Sequence, residues 1–123
     1  MTDMYKYIIH TIPPSNNKFI GRKAEWEYQK IKKQWATLIE CLCKPKPPAP
    51  LEGVTVTLRY FFTDSRRRDP DNYSGKIILD GLVKYGILKD DSFNCIDLEI
   101  EQGGVDKANP RVEIIIKEKG NYV

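Results

Sequence analysis

Residues that bind zinc or pair in disulfides are scarce in this sequence of 123 residues, which has one histidine and three cysteines. Cys41 and Cys43 are separated by a single residue, which is the wrong spacing for a zinc knuckle, and His10 alone cannot complete a typical zinc site. An odd number of cysteines without paired spacing is also a poor disulfide framework. The composition therefore argues against structural zinc and predicts a reducing, cytoplasmic environment.

Long apolar runs and a strong charge of one sign are also absent. No stretch approaches the roughly 20 apolar residues of a membrane-spanning helix, and residues 1–6 lack the features of a secretory signal. Lys and Arg number 20 against 17 Asp and Glu, so the net charge of +3 permits nucleic-acid binding without requiring it. We expect one soluble globular domain, residues 1–123, that has no membrane partner.

Periodic apolar residues predict an α+β fold with the element order β-α-β-α-β-β. The predicted fold is a single mixed sheet of about four strands with two packed helices. Trp26 and Trp35 fall on the apolar stripe of the first helix, so we expect both in the core. Gly103-Gly104 is expected to form the turn between the last two strands. The helices are predicted over residues 22–44 and 71–85, and the strands over residues 4–12, 54–62, 93–102 and 111–118.

One segment concentrates both signs of charge where a strand gives way to a helix: Arg66-Arg67-Arg68-Asp69-Pro70-Asp71-Asn72. Pro70 biases Asp69 toward an extended conformation, which lets Asp69 and Asp71 point the same way. Asp90 and Asp91 follow twenty residues later, between the second helix and the third strand. Carboxylates at about 4 Å repel by about 1 to 4 kcal/mol per pair, so a cluster of them predicts a divalent cation. Oxygen ligands favour Mg²⁺ or Mn²⁺ over zinc.

These residue types suit the cleavage of phosphodiester bonds. Mg²⁺ held by carboxylates neutralises the charge that develops on phosphorus and activates a water. The adjacent arginines can bind phosphate, and Lys76 can reach the same phosphate. An ordinary structural role stays open, in which Asp71 caps the second helix, Asp90 and Asp91 are turn residues, and the arginines form a solvated loop.

Several separate blocks of the sequence resemble the RusA family of Holliday junction resolvases, and together they cover nearly the whole chain. The blocks are Pro13-Pro14-Ser15-Asn16-Asn17, the segment from Asp64 to Asn72, Lys76, Asp80-Gly81-Leu82, and Lys89-Asp90-Asp91-Ser92. The resemblance implies a small homodimeric endonuclease that needs Mg²⁺ or Mn²⁺ and nicks four-way DNA junctions in two strands of like polarity. The implied products carry 5′-phosphate and 3′-hydroxyl ends. Many members of the family are encoded by phages or prophages.

The resemblance also implies roles for individual residues. The essential aspartates of the family fall on Asp69, Asp71 and Asp91, with Asp90 as the neighbouring acid, and these four are the implied metal ligands. The catalytic lysine of the family falls on Lys76. DNA contacts are expected from two segments, with an exposed turn as the alternative for the second: Arg66, Arg67 and Arg68, and the N-terminal loop with Asn16, Asn17 and Lys18.

The spacing before Lys76 departs from the family pattern. The segment Asn72-Tyr73-Ser74-Gly75 is one residue longer than usual. One extra residue rotates a helix by about 100°. Either the extra residue is absorbed before the helix begins, with the help of Gly75, or Lys76 points elsewhere.

Two other functions stay open. A non-catalytic DNA-binding or phage assembly module could keep this fold, although the presence of Asp69, Asp71 and Asp91 argues against it. A nuclease for other branched DNA, such as forks or flaps, would use the same chemistry, because the selection of DNA shape lies in dimer geometry.

Overall fold

A computed structural model describes residues 3–16, 24–92 and 94–119, apart from the side chains of Asp3, Met4 and Asp71. The predicted α+β class is confirmed, since one mixed sheet of four strands packs against two helices. The elements in chain order are β1 (Asp3–Ile9), α1 (Ala24–Leu42), β2 (Val54–Phe62), a 3-10 turn (Pro70–Tyr73), α2 (Lys76–Tyr85), β3 (Ile96–Val105) and β4 (Arg111–Glu118).

The strand order β1-β4-β2-β3 makes β2 and β3 a parallel pair, whereas β4 is antiparallel to both β1 and β2. A parallel pair needs a crossover, and α2 supplies it. The crossover leaves the carboxyl end of β2 and returns to the amino end of β3. Asp69 therefore follows one end of the pair, whereas Asp91 precedes the other end.

The core lies between the helices and one face of the sheet. Alternate residues of β2, including Val56, Leu58 and Tyr60, are buried against side chains of both helices, as the period-two pattern predicts. The opposite face carries an ionic ladder, in which Glu113 contacts Arg59 at 3.6 Å and Arg111 at 3.1 Å. Neither described helix combines the length and the apolar content that crossing a membrane requires.

The two tryptophans of α1 have different environments. Trp35 is 4% exposed and packs in the core, as predicted, but the prediction for Trp26 is wrong, because its side chain is 70% exposed. The two residues are nine positions apart, which corresponds to about 900°, or about half a turn beyond two full turns. They therefore lie on opposite faces of α1, and the ammonium of Lys30 lies 5.6 Å from the ring centroid of Trp26.

The prediction of a turn at Gly103-Gly104 is also wrong, because both glycines lie inside β3. A Cβ atom on Gly103 would lie 2.5 Å from Cζ of Phe61, so a glycine is required there for side-chain packing across the strands. The chain reverses at residues 106–109, where the amide of Asn109 donates to the carbonyl of Asp106 at 3.2 Å. Glycine as a close-packing residue and glycine as a turn residue look the same in a sequence.

Candidate functional site

Arg68 organises the loop that follows β2. Its guanidinium lies 4.1 Å from the ring centroid of Phe62 and donates to the carbonyls of Asp64 and Arg66, each at 3.0 Å. It also donates to Oδ1 of Asp64 at 2.9 Å. With a side chain only 10% exposed, Arg68 is committed to contacts within the loop. Arg68 therefore fixes the loop that carries Arg66 and Arg67, whose side chains are exposed.

Asp64 completes this loop through its carboxylate. The backbone amide of Arg66 donates to it at 3.0 Å, and this hydrogen bond, followed by the one from Arg68, lowers the pKa of Asp64. A lowered pKa in the folded state means that the contribution to stability is present at neutral pH. That contribution is lost as the pH falls from the ordinary aspartate range through the lowered pKa.

Replacing Arg68 with alanine is expected to lower the free energy of unfolding by about 1 to 3 kcal/mol. The change removes the contact with Phe62 and leaves two loop carbonyls without their donor. The matched control is Arg66→Ala, because that side chain is 74% exposed and its removal is expected to cost less than about 0.5 kcal/mol. Denaturant unfolding compares the two variants, and equal losses would contradict the structural role of Arg68.

Asp69 has the extended backbone that the following proline predicts, with φ −97° and ψ 135°. Its side chain is 48% exposed, and Nε of Arg67 contacts its Oδ1 at 3.2 Å. An exposed ion pair of this kind contributes at most about 1 kcal/mol. A cation at Asp69 and a phosphate at Arg67 can therefore replace this pair at small cost.

The 3-10 turn is fixed to the core by an aromatic cluster. The ring of Tyr73 packs edge-on against Tyr60 and Phe62, with centroid distances of 5.6 and 5.2 Å. The amide of Asn72 donates to the carbonyl of Asp69 at 3.0 Å. The backbone of Asp71 is thus held between two fixed neighbours, whereas its side chain lies outside the described part of the protein.

The segment before Lys76 lies outside the helix. Gly75 is the N-cap of α2 and has a left-handed backbone with φ 80°, and α2 begins at Lys76. Residues 72–75 therefore precede α2 and add nothing to its length, as the first of the two alternatives requires, and the role of Lys76 stays a prediction. The suggestion that Asp71 caps the second helix is wrong, because Gly75 occupies that position.

Lys76 is held by a carboxylate that both helices share. Its Nζ lies 3.7 Å from Oδ1 of Asp80, and Nζ of Lys32 on α1 lies 3.5 Å from Oδ2 of the same residue. Asp80 is only 19% exposed, whereas Lys76 is 65% exposed. Sequence reasoning assigns no role to Asp80, although its separation of four residues from Lys76 on a helix is the signal that could have found it.

The second acidic segment lies in the connection from α2 to β3. The amide of Asp91 donates to Oδ1 of Asp90 at 2.9 Å, which is the behaviour of a turn residue and leaves Asp90 partly occupied. Asp91 is exposed and borders a hollow with Leu79 and Leu98. Of the two, Asp91 is the better placed to bind a ligand.

The two acidic segments border separate hollows along β3. Asp69 borders a hollow that includes residues 100–102 of β3, whereas the hollow beside Asp91 includes residues 96–99, and the two share no residue. Among residues 3–16, 24–92 and 94–119, no three His, Cys, Asp or Glu side chains form a group that could hold a metal. That set omits the carboxylate of Asp71, the predicted ligand that lies between Asp69 and α2.

The start of the N-terminal loop contacts the linker that follows the acidic turn. Nδ2 of Asn16 donates to Oγ of Ser74 at 3.1 Å, and Ser15 borders a hollow together with Arg66, Arg67 and Asn72. The start of this loop therefore lies beside the acidic turn. Asn17 and Lys18, the other predicted DNA contacts, lie outside the described residues.

No protein-family model and no curated protein matches the chain. A function for the chain is therefore inferred from the chemistry of the site and from the sequence blocks that form it.

Proposed function

We propose that the protein is a Mg²⁺- or Mn²⁺-dependent endonuclease that resolves four-way DNA junctions by paired nicks, in DNA recombination and repair. One observation carries the proposal: the acidic turn with Asp69 is fixed to the core, the exposed Arg66 and Arg67 directly precede it, and Lys76 follows it along the chain at the start of α2. The resemblance of the same blocks to RusA resolvases supports it.

The donor atoms around the acidic segments suit a hard cation. Asp69, Asp90 and Asp91 supply carboxylate oxygens, and no histidine or cysteine borders the hollows beside Asp69 and Asp91 in the described part of the chain. We propose that Asp69 and Asp71 hold the ion and that Asp91, with Asp90 beside it, completes the ligand set across a homodimer, because the two acidic segments border separate hollows within one chain. A bound Mg²⁺ would supply charge neutralisation at the scissile phosphate and an activated water.

The basic residues of the chain have separate roles in this proposal. Arg66 and Arg67 bind flanking phosphates, and Arg67 exchanges the carboxylate of Asp69 for a phosphate oxygen when DNA binds. Arg68 is a positioning residue, because its hydrogen bonds hold the loop that presents the other two arginines. Lys76 orients the attacking water or stabilises negative charge on the phosphate, and Asp80 keeps it at the start of α2.

The proposed unit is a homodimer. A four-way junction offers two equivalent strands, so two sites related by a two-fold axis can nick both strands while one complex lasts. Asn16 and the rest of the N-terminal loop would contact DNA near the point at which the strands exchange, because Asn16 lies beside the acidic turn.

Cleavage of a synthetic four-way junction tests this function. With Mg²⁺ we expect two symmetric nicks with 5′-phosphate ends, and with EDTA we expect none. A fork and a linear duplex of matched sequence serve as controls for shape. Equal cleavage of fork and junction would favour a nuclease for other branched DNA. DNA binding without metal-dependent cleavage would favour a non-catalytic module.

A further inference from the structure

A basic groove runs between α1 and α2, away from the acidic turn. Lys33 of α1, Lys84 of α2 and Lys46 of the connector after α1 border it, and Glu40 is the one acidic residue among its lining residues in the described part of the chain. All three lysines are exposed. We propose that this groove binds the phosphate backbone of a DNA arm through Lys33, Lys46 and Lys84.

Close packing of the helices shapes the groove. Its floor contains Ala36 and Gly81, and a Cβ atom on Gly81 would overlap Cδ1 of Ile39. Because α2 lies this close to α1, the lysines stand on both sides of a shallow channel and not on one isolated helix face. The ammonium of Lys46 lies 4.6 Å from the ring centroid of Tyr85, which restricts its position.

The three groove lysines differ from Lys32 and Lys76 in their ion pairs. Lys32 and Lys76 share Asp80, whereas Lys33, Lys46 and Lys84 have no ion pair with any residue of the described ranges. Their charge is therefore available to an external anion. Lysine is a flexible point charge, which suits contacts to successive phosphates without reading of base sequence.

Two of the groove residues are adjacent in sequence to residues of the cluster that holds Lys76. Lys33 follows Lys32, and Gly81 follows Asp80, so the groove begins beside the cluster that holds Lys76. Lys84 lies eight residues beyond Lys76 on α2, which corresponds to about 12 Å along the helix axis. That length spans about three to four base pairs at about 3.4 Å per step. The flanking arm of a cleaved strand would lie along this direction.

Negative charges lie along the edge strand β3 of the sheet. The edge strand β3 carries Asp97, Glu99 and Glu101 and no basic residue. Two of these carboxylates are paired, Asp97 with Lys119 at 3.3 Å and Glu101 with Arg59 at 2.9 Å, whereas the groove lysines have no ion pair within the described ranges, so the groove attracts a polyanion. The choice of DNA as the polyanion rests on the proposed function.

Salt-dependent binding of a four-way junction in EDTA tests the groove. In the triple variant Lys33→Gln, Lys46→Gln, Lys84→Gln, the slope of log affinity against log salt is expected to fall by about 2 to 3, and the affinity at about 0.1 M salt to fall on the order of 100-fold. The matched control removes the same charge through Lys6→Gln, Lys107→Gln and Lys119→Gln, and its affinity is expected to change less than about fivefold. Each single groove variant is expected to give about a third of the change in slope.

The outcomes of these measurements test the binding role of the groove and the nuclease activity independently. Equal salt slopes in the groove and control variants would contradict DNA binding by the groove. Cleavage by the wild type would still support the nuclease activity. Groove-dependent binding by a wild type that cleaves no DNA would support the groove and reject the nuclease. A groove variant that binds DNA normally but changes its oligomeric state would show that the groove contacts protein, and would overturn the inference.

Discussion

Replacing Asp69 with asparagine is expected to reduce junction cleavage by about 1,000-fold while leaving junction binding intact. The carboxylate is proposed to hold a cation whose charge stabilisation is worth several kcal/mol in the transition state, and about 4 kcal/mol corresponds to about 1,000-fold in rate. The fold should persist, because the exposed pair with Arg67 is the ion pair that the change removes. Losing one negative charge should not weaken the attraction for phosphate.

Single-turnover cleavage and binding in EDTA measure the two effects of Asp69→Asn separately. The matched control is Glu27→Gln on α1, which removes an exposed carboxylate far from the turn in sequence and is expected to leave both quantities unchanged. Asp71→Asn and Asp91→Asn are expected to behave like Asp69→Asn. Full cleavage by Asp69→Asn would remove the carboxylate from the proposed chemistry.

Replacing Gly75 with alanine is expected to lower the free energy of unfolding by about 3 kcal/mol. The backbone at this position has φ 80°, which costs an alanine about 1 to 2 kcal/mol. The new methyl group would also overlap Cδ1 of Leu58, which is fully buried in the core, and such overpacking costs about 1 to 3 kcal/mol more. Denaturant unfolding measures the loss.

Gly53→Ala distinguishes the cost of backbone strain from the cost of overlap with Leu58. Gly53 also has a left-handed backbone, with φ 67°, but nothing in the described part of the chain lies within 4 Å of an added Cβ atom. Its replacement is therefore expected to cost only the backbone strain of about 1 kcal/mol. Equal losses for Gly53→Ala and Gly75→Ala would contradict the close packing of the linker on Leu58, and with it the fixed entry of the chain into α2 at Lys76.

Local patterns predict the elements that have one buried face. The alternation from Val54 to Phe62 matches the observed bounds of β2, and the last strand is predicted over the residues that form β4. The apolar stripe predicts the first helix as far as residue 44, whereas α1 ends at Leu42, because the stripe does not define helix ends. Strand order and the parallel pairing of β3 depend on contacts between distant residues, which a periodic pattern does not contain.

The second helix shows where local patterns fail. The sequence predicts a continuous helix over residues 71–85, but the chain forms a 3-10 turn, a left-handed glycine and then α2. The reason is tertiary, since Tyr73 packs on the aromatic side chains of β2 and Gly75 fits against Leu58. Neither contact can be inferred from the order of residues alone.

The sequence predicts which residue types form the candidate site. It does not predict which of their side chains contact one another. The motif indicates Asp69 and its arginines as a group, but only the structure separates the exposed Arg66 and Arg67 from the enclosed Arg68. The pairing of Arg68 with Asp64 and Phe62 requires the loop to fold back on β2. The groove lysines come from three separate segments, so the sequence shows them only as scattered polar residues.

A crystal structure of the protein with Mn²⁺ and junction DNA, with the metal located by anomalous scattering, tests the central claim most directly. We expect manganese bound to carboxylate oxygens of Asp69, Asp71 and Asp91 at about 2.0 to 2.6 Å, next to a DNA phosphate. Manganese bound at Asp69 and Asp71 with Asp91 remote from every metal and every phosphate would contradict the shared site. A complex with no manganese at any of these aspartates would contradict the metal-dependent nuclease itself.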